Sequence, residues 1–343
     1  MKHAFLPEEG TFYKANLHCH STLSDGKLTP RQLKEAYQER GYSILAITDH
    51  EALFSHEDLN DGSFLTINGV ERSVDSEVLP GQSYDYVHTC HLNFLAKNPK
   101  NTVFVGYNPD YANQGMNWVG DGKLKEQLKF DKPLRVPYSA EGINEIIALA
   151  NENGFLVTVN HLCWSKEQYE QFSQYEGMFA MEIYNHGCYV EGHDEQNGAF
   201  YDMLLNKGNR IFCLATDDNH NRYPFDDPQN DSFGGFVMIK ARELTYEAVI
   251  AALEQGAFYA STGPVIQALY MENGKICIDV EGAKRISLTT DNRHAQVKLA
   301  KEGESLTHAE FDTERINQYF RIEVTDAEGK RAYTNAYFRD TWA

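Results

Sequence analysis

Four times along this chain a short apolar run ends on polar residues of the metal-ligand type. Ile44 to Ile47 runs into Thr48-Asp49-His50, and Phe155 to Val159 into Asn160-His161. Phe179 to Tyr184 runs into Asn185-His186, and Ile211 to Ala215 into Thr216-Asp217-Asp218-Asn219-His220. Such runs read as buried β-strands. Helix patterns precede the first two. Thr29 caps a helix with Pro30 at its first position, Leu33, Ala36 and Tyr37 on one face, and Gly41 beyond its end. A second helix begins near Ser139, carries the stripe Ile143, Ile146, Ile147 and Ala150, and stops at Gly154. Alternating strands and helices predict an α/β fold with a parallel sheet. Polar residues at strand C-termini are where a (β/α) barrel gathers its active site.

Upstream lies Asn16-Leu17-His18-Cys19-His20-Ser21-Thr22-Leu23-Ser24-Asp25-Gly26. Side chains alternate across extended chain, so His18 and His20 point the same way and can reach one metal ion. Cys19 then faces the opposite side as a small buried residue. Asp25 is either a further ligand or a turn aspartate before Gly26. The candidate ligands together are His18, His20, Asp25, Asp49, His50, Glu71, His91, His161, Asp218 and His220. Neutral imidazoles mixed with carboxylates suit Zn, Mn or Fe, and the set is too rich in nitrogen for a Ca or Mg cage. It exceeds what one ion can use and fits two or three divalent ions sharing a carboxylate.

The 343 residues allow one large domain and a smaller one. A net charge of -19, from 50 acidic against 31 basic residues, disfavours long nucleic acid, whose affinity comes from Lys and Arg on phosphates. A small anionic substrate stays open, because bound metals reverse the local field. No apolar run is long enough to span a bilayer, and the N-terminus lacks the apolar centre of a signal peptide. Six scattered cysteines, none in a Cys-x-x-Cys pair, read as reduced thiols of a cytoplasmic protein. After Ser261-Thr262-Gly263-Pro264 the texture changes to short alternating runs with the hairpin turns Asn273-Gly274 and Glu328-Gly329. Residues 1–263 are therefore expected to form the barrel, and 264–343 a small antiparallel β-sandwich. The sandwich would pack on the barrel or hold a homo-oligomer together. The stretch 97–137, with Tyr107, Tyr111, Gly115, Trp118, Gly120 and Gly122, reads as an insertion, either a lid or surface decoration.

The motifs resemble those of the PHP family, named for polymerase and histidinol phosphatase. His18-x-His20-Ser21-x-x-Ser24-Asp25-Gly26 is similar to its first motif and Thr48-Asp49-His50 to its second. Gly69-Val70-Glu71, His91, His161 and Asp218-Asn219-His220 follow in the family's order. The tail Phe258-Tyr259-Ala260-Ser261-Thr262-Gly263-Pro264 looks like that of members with a C-terminal β-domain. The resemblance implies a distorted (β/α)7, TIM-like barrel with three metals. The first would be held by His18, His20, Glu71 and Asp218. The second would share Glu71 and add His91 and His161, and the third would take Asp25, His50 and His220. Asp49 would orient a ligand imidazole through a hydrogen bond. The chain departs from the family in three places. Arg72 stands where a small or aliphatic residue is usual, His88 could compete for the role of His91, and Asp217 is a rival to Asp218; the ligand roles go to His91 and Asp218, and Asp217 and His88 are expected behind the ligands, as Asp49 is.

His186 and His193 have no ligand role in this scheme. Arg72 and Arg222 are the basic residues nearest the motifs. Either can bind a substrate phosphate through paired hydrogen bonds, and a surface salt bridge is the alternative. The expected activity is hydrolysis of a small phosphate ester by a metal-activated hydroxide, with no catalytic side chain assigned beyond that. Carbamate, ester or amide hydrolysis on the same metals, or a non-catalytic metal-bearing binding protein, are the alternatives. An exonuclease is disfavoured by the acidity and by the absence of a basic, aromatic-interleaved stripe.

Overall fold

The computed structural model describes residues 2–83, 86–111 and 121–342. Gly115, Trp118 and Gly120 of the expected insertion lie outside the described residues. The strands in chain order begin with β1 (Lys2–Ala4), β2 (Thr11–Asn16), β3 (Tyr42–Ile47), β4 (Leu65–Asp75) and β5 (Thr89–Ala96). They continue with β6 (Val103–Phe104), β7 (Lys129–Phe130), β8 (Phe155–Val159), β9 (Ala180–Asn185) and β10 (Phe212–Thr216). Next come β11 (Phe236–Ala241), β12 (Phe258–Ser261), β13 (Ile266–Glu272), β14 (Lys275–Ala283) and β15 (Arg285–Thr290). The last are β16 (Gln296–Leu299), β17 (Leu306–Asp312), β18 (Tyr319–Thr325), β19 (Arg331–Thr334) and β20 (Tyr337–Phe338).

Local chemistry sets the helices. Thr29 and Gln32 form a reciprocal capping box ahead of the helix Pro30–Glu39, and its buried residues are Leu33, Ala36 and Tyr37. Ser139 caps Ala140–Glu152, which buries Ile143, Ile146, Ile147 and Ala150. Thr245 caps Tyr246–Glu254. Each apolar stripe covers a strand whose own side chains cannot face water on either side.

One large sheet runs β10-β9-β8-β5-β4-β3-β2-β11-β12-β19-β18-β15-β16, with β20 beside β18. The pairs β2–β3, β3–β4, β8–β9 and β9–β10 are parallel, as expected. The sheet as a whole is mixed, because β5 runs antiparallel to both β4 and β8. The short stretch 76–88 returns β4 into β5, and antiparallel neighbours need no crossover helix. The sheet curls on itself. Cys19, just past β2, bridges in parallel to Asn219, just past β10. The Asn16 amide reinforces this contact by donating to Asn219 Oδ1 at 3.3 Å.

A second sheet, β1-β13-β14-β17, lies over the C-terminal part of the first. Ile276, Ile278 and Phe311 from one layer and Leu288, Phe320 and Ile322 from the other share an apolar cluster. Backbone pairing crosses residue 263 in both directions: β1 pairs with β13, and β12 with β19. At the C-terminal end, β19 and β20 are separated by residues 335–336. Among the described residues, no helix is long and apolar enough to cross a membrane.

Candidate metal centre

The curled sheet brings one end of several strands together. Beyond β2 the chain stays extended, so His18 and His20 share a side, with their Nε2 atoms 3.2 Å apart. Cys19 turns away into the apolar group around Leu33 and Tyr37. His50 follows β3 and bridges to Glu71 in β4. His91 lies on β5, while His161 and Asp218 follow β8 and β10. His161 and Asp218 take positive φ, 25° and 52°. Strain of that kind in non-glycine residues persists where the surroundings over-determine a geometry, and it clusters at functional sites. Gly26 serves close approach, because a Cβ there would sit 2.6 Å from the His20 carbonyl oxygen.

Glu71 is the hub. Its Oε1 stands 3.2 Å from His18 Nε2, 3.1 Å from His91 Nδ1 and 3.3 Å from His161 Nε2. Its Oε2 stands 3.3 Å from His20 Nε2 and 3.1 Å from His50 Nδ1. Asp218 Oδ1 lies 3.1 Å from His18 Nε2 and 3.0 Å from His20 Nε2. Asp25 sits at the open side, 3.4 Å from His220 Nε2 and 3.8 Å from His50 Nε2. Three donor groups result: His18, His20, Glu71 and Asp218; His50, Glu71 and His91; and His20, Asp25, His50 and His220.

The donor chemistry fits divalent ions. Among the described residues, Glu71 Oε2, Asp218 Oδ1 and His20 Nδ1 are buried without a hydrogen-bond partner. Buried polar atoms cost stability unless something satisfies them. Burial pulls the His18 pKa down, yet Asp218, Glu71 and Glu182 together raise it well above the ordinary value. Burial likewise opposes His20 and His161, and the same carboxylates push them up to about 10 and about 9. Burial would raise Glu71, but His18, His91 and His50 hold it well below the usual carboxylate range. Cations stabilise this site, whether protons or metals.

Several expected roles change. Asp49 does not orient an imidazole. Its carboxylate accepts from the Ser21 and Ser24 backbone N–H groups at 2.8 and 3.1 Å and from both hydroxyls at 2.7 and 2.6 Å, fixing the loop that carries the first motif. Asp217 is no rival to Asp218. It accepts from Tyr37 Oη and from the N–H groups of Phe233, Gly234 and Gly235. His88 lies apart, with Nδ1 on the Lys166 carbonyl at 2.9 Å. Arg72 does not face the cluster. Next to Glu71 on one strand, it points to the other side, where it donates to the carbonyls of Gly106, Ser73 and Leu134 and pairs with Glu51 at 3.6 Å. Arg222 does reach the cleft mouth, where it pairs with Glu191 at 3.5 Å. His186 bonds Tyr184 Oη, and His193 meets Lys166 Nζ, so neither joins the cluster.

The sequence reading missed three residues. Glu182 in β9 accepts from His18 Nδ1 at 2.7 Å, from Thr216 Oγ1 at 2.6 Å, and from His161 N and Asn185 Nδ2 at 2.8 Å each. It fixes the His18 tautomer, as carboxylates behind metal-bound imidazoles do. Asp231 accepts from the backbone N–H groups of His220 and Asn221 at 2.7 and 2.9 Å. Glu51, at φ 53°, turns one oxygen to the Ser73 N–H and lines the cleft. Each has a carboxylate on an apolar run or in a loop, which is the only sequence signal it offers. The cleft over the cluster has a volume of about 250 Å³, with Trp164 and Tyr111 on its wall.

The PHP domain family matches residues 16–193, more than half of the chain, and this protein belongs to that family. A 5'-3' exoribonuclease from Haemophilus influenzae is 33% identical over 96 residues. That match takes in 27% of this chain and about a third (33%) of the relative's length. Among solved structures, a two-domain protein from Bacteroides vulgatus containing a predicted PHP-like metal-dependent phosphoesterase aligns over 98% of this chain and 97% of its own, at 14% identity and TM-score 0.45. An amidohydrolase from Chromobacterium violaceum with bound sulfate and no metal aligns over 60% of this chain and 87% of its own, at 16% identity and TM-score 0.35.

Proposed function

We propose that this PHP-family protein is a metal-dependent phosphoesterase that cleaves small phosphate esters in the cleft above Glu71. The observation that carries the reading is the Glu71 carboxylate, which stands 3.1–3.3 Å from imidazoles of five histidines, His18, His20, His50, His91 and His161, and belongs to two donor groups, so that it can be shared between two ions. Bound there, two or three divalent ions of the Zn, Mn or Fe type would supply charge neutralisation for the phosphoryl group and a water of lowered pKa. His18, His20, Glu71 and Asp218 would hold the first. Glu71 with His91 and His161 would hold the second, and Asp25, His50 and His220 the outermost.

The chain's own groups do the rest. Glu182 and Ser165 hold the His18 and His161 rings through their Nδ1 atoms. Asp49 locks the loop of the first motif. Arg222 is the basic group at the mouth, and releasing Glu191 would let it meet a phosphate oxygen. Trp164, beside His91 and His161, forms one wall of the cleft. Glu51, Asp75, Glu191 and Asp231 also line the cleft. Their charge, on a chain of net charge -19, favours a compact ester over a polyanion such as long RNA. We read the curled sheet as the distorted (β/α)7 barrel, and the two layers around Ile278 and Phe320 as the C-terminal β-sandwich. The six free thiols fit the reducing cytoplasm.

Phosphate release from a panel of sugar phosphates and nucleoside monophosphates, with Mn(II) or Zn(II) added, tests the proposal. Metal-dependent turnover that disappears in Glu71→Gln is expected. No turnover across the panel, with carboxylic esters hydrolysed instead, would replace it with carbonyl chemistry on the same metals.

A further inference from the structure

The outward face of the second sheet carries metal-type donors far from the Glu71 cluster in sequence. β14 and β17 pair antiparallel, with Cys277 opposite Glu310 and Asp279 opposite His308. Ile276, Ile278, Ala309 and Phe311 enter the apolar cluster between the sheets. Alternation therefore turns Cys277, Asp279, His308 and Glu310 to the other face. Cys277, His308 and Glu310 each offer one donor atom, and the three atoms lie within 4.8 Å of one another.

The neighbours prepare these donors. His308 Nδ1 is 2.6 Å from Asp279 Oδ1, so the ring gives its N–H to the carboxylate and keeps a lone pair on Nε2. That atom faces Glu310 Oε1 at 3.9 Å. Lys275 takes the other oxygen, Oε2, at 3.0 Å. Ion pairing thus accounts for Asp279, Lys275 and half of Glu310. It leaves His308 Nε2 and Glu310 Oε1 near the Cys277 sulfur, whose thiol makes a weak hydrogen bond of 3.8 Å to the Lys275 carbonyl. A nitrogen and an oxygen on one tetrahedral zinc, each about 2.0–2.1 Å from it, stand about 3.4 Å apart. His308 and Glu310 are 43% and 48% exposed, so their side chains can close the remaining few tenths of an ångström.

We propose that Cys277, His308 and Glu310 form a second metal site for a zinc-class divalent cation. Asp279 is the positioning residue behind the imidazole, and a fourth place is left open to water. The sulfur, nitrogen and oxygen set selects a borderline-soft ion over Ca or Mg. On binding, Cys277 releases its thiol proton to solvent, and the ion ties β14 to β17. The carboxylate–imidazole–metal arrangement is the one that fixes ligand tautomers elsewhere.

Titrating the full chain with Co(II) separates this site from the Glu71 cluster. A thiolate bound to cobalt gives a near-ultraviolet charge-transfer band, which imidazole and carboxylate ligands do not. The Cys188 thiol approaches the main cluster, with its sulfur 3.9 Å from Asp218 Oδ2. The band is expected in the wild type and in Cys188→Ala, and lost in Cys277→Ser. In Asp279→Asn the site should bind cobalt about 10–100-fold more weakly. His308→Ala, at an exposed position that does not threaten the fold, should weaken it at least as much. No band in the wild type, a band surviving in Cys277→Ser, or unchanged affinity in His308→Ala would each overturn the proposal.

Discussion

Replacing Glu182 by Gln probes the centre without touching a metal ligand. The native carboxylate accepts four hydrogen bonds, two on each oxygen. Glutamine keeps one acceptor oxygen and puts an NH2 group in place of the other. If the NH2 faces His18, it forces Nδ1 to accept, and the ring proton moves to Nε2, where a metal must bind. If it faces the other way, it meets the His161 backbone N–H, which cannot turn. Thr216 or Asn185, whichever faces the NH2, can reorient, so one of the four bonds is lost. At about 1.5–3 kcal/mol for a bond to a charged group, the fold loses about 1.5–3 kcal/mol. Metal affinity should fall about 10–100-fold, or about 1.4–2.8 kcal/mol. Competition against a chromophoric chelator reads the affinity, and thermal unfolding at fixed metal reads the stability. A Kd within about twofold of wild type, where the tautomer argument requires at least about 10-fold, would refute the reasoning.

Other outcomes follow from the same geometry. Arg72→Met should cost about 3–5 kcal/mol in denaturant unfolding, because it strands Glu51 and three carbonyls, and KM for a phosphate ester should not move. A raised KM without loss of stability would return Arg72 to the substrate. Asp49→Asn should leave the metal ligands in place but loosen the Ser21–Ser24 loop, seen as faster amide hydrogen exchange there. His20 and His161, raised to about 10 and about 9, hold protons at pH 7 that metals must displace. Calorimetry in buffers of different ionisation enthalpy should therefore show proton release on loading. Because both pKa values are raised above the unfolded value near 6.5, the metal-free protein gains full stability from them below that pH. It should lose this contribution as pH rises through about 9 to about 10. Zero proton release, or flat metal-free stability across that range, would contradict these assignments.

The readable parts of the sequence were those with a local cause. The capping residues Thr29 and Ser139 and the apolar stripes behind them located helices, and β8 was found to the residue. The His18-x-His20 alternation predicted both the shared side and the turning away of Cys19. β4 and β5, which carry Glu71 and His91, were weak in the sequence because polar residues facing the cluster interrupt their apolar pattern. β17 mixes charge and apolar residues over a short span and was missed. Arg72 misled because its neighbour Glu71 is a candidate ligand, although strand alternation puts it on the opposite face. Glu182 was illegible for another reason: it pairs with His18, 164 residues away, and only the folded chain joins them. The antiparallel placement of β5 likewise depends on which edge the returning chain finds.

The central claim is that ions assemble around the Glu71 carboxylate. Anomalous diffraction from crystals of the full chain soaked in Zn(II) or Mn(II) tests it most directly. Two or three peaks are predicted at the cluster, besides the separate one proposed at Cys277, with the first between His18, His20 and Asp218 and another toward His91 and His161, both touching Glu71. Peaks only at the surface, or none within coordination distance of Glu71, would contradict the account.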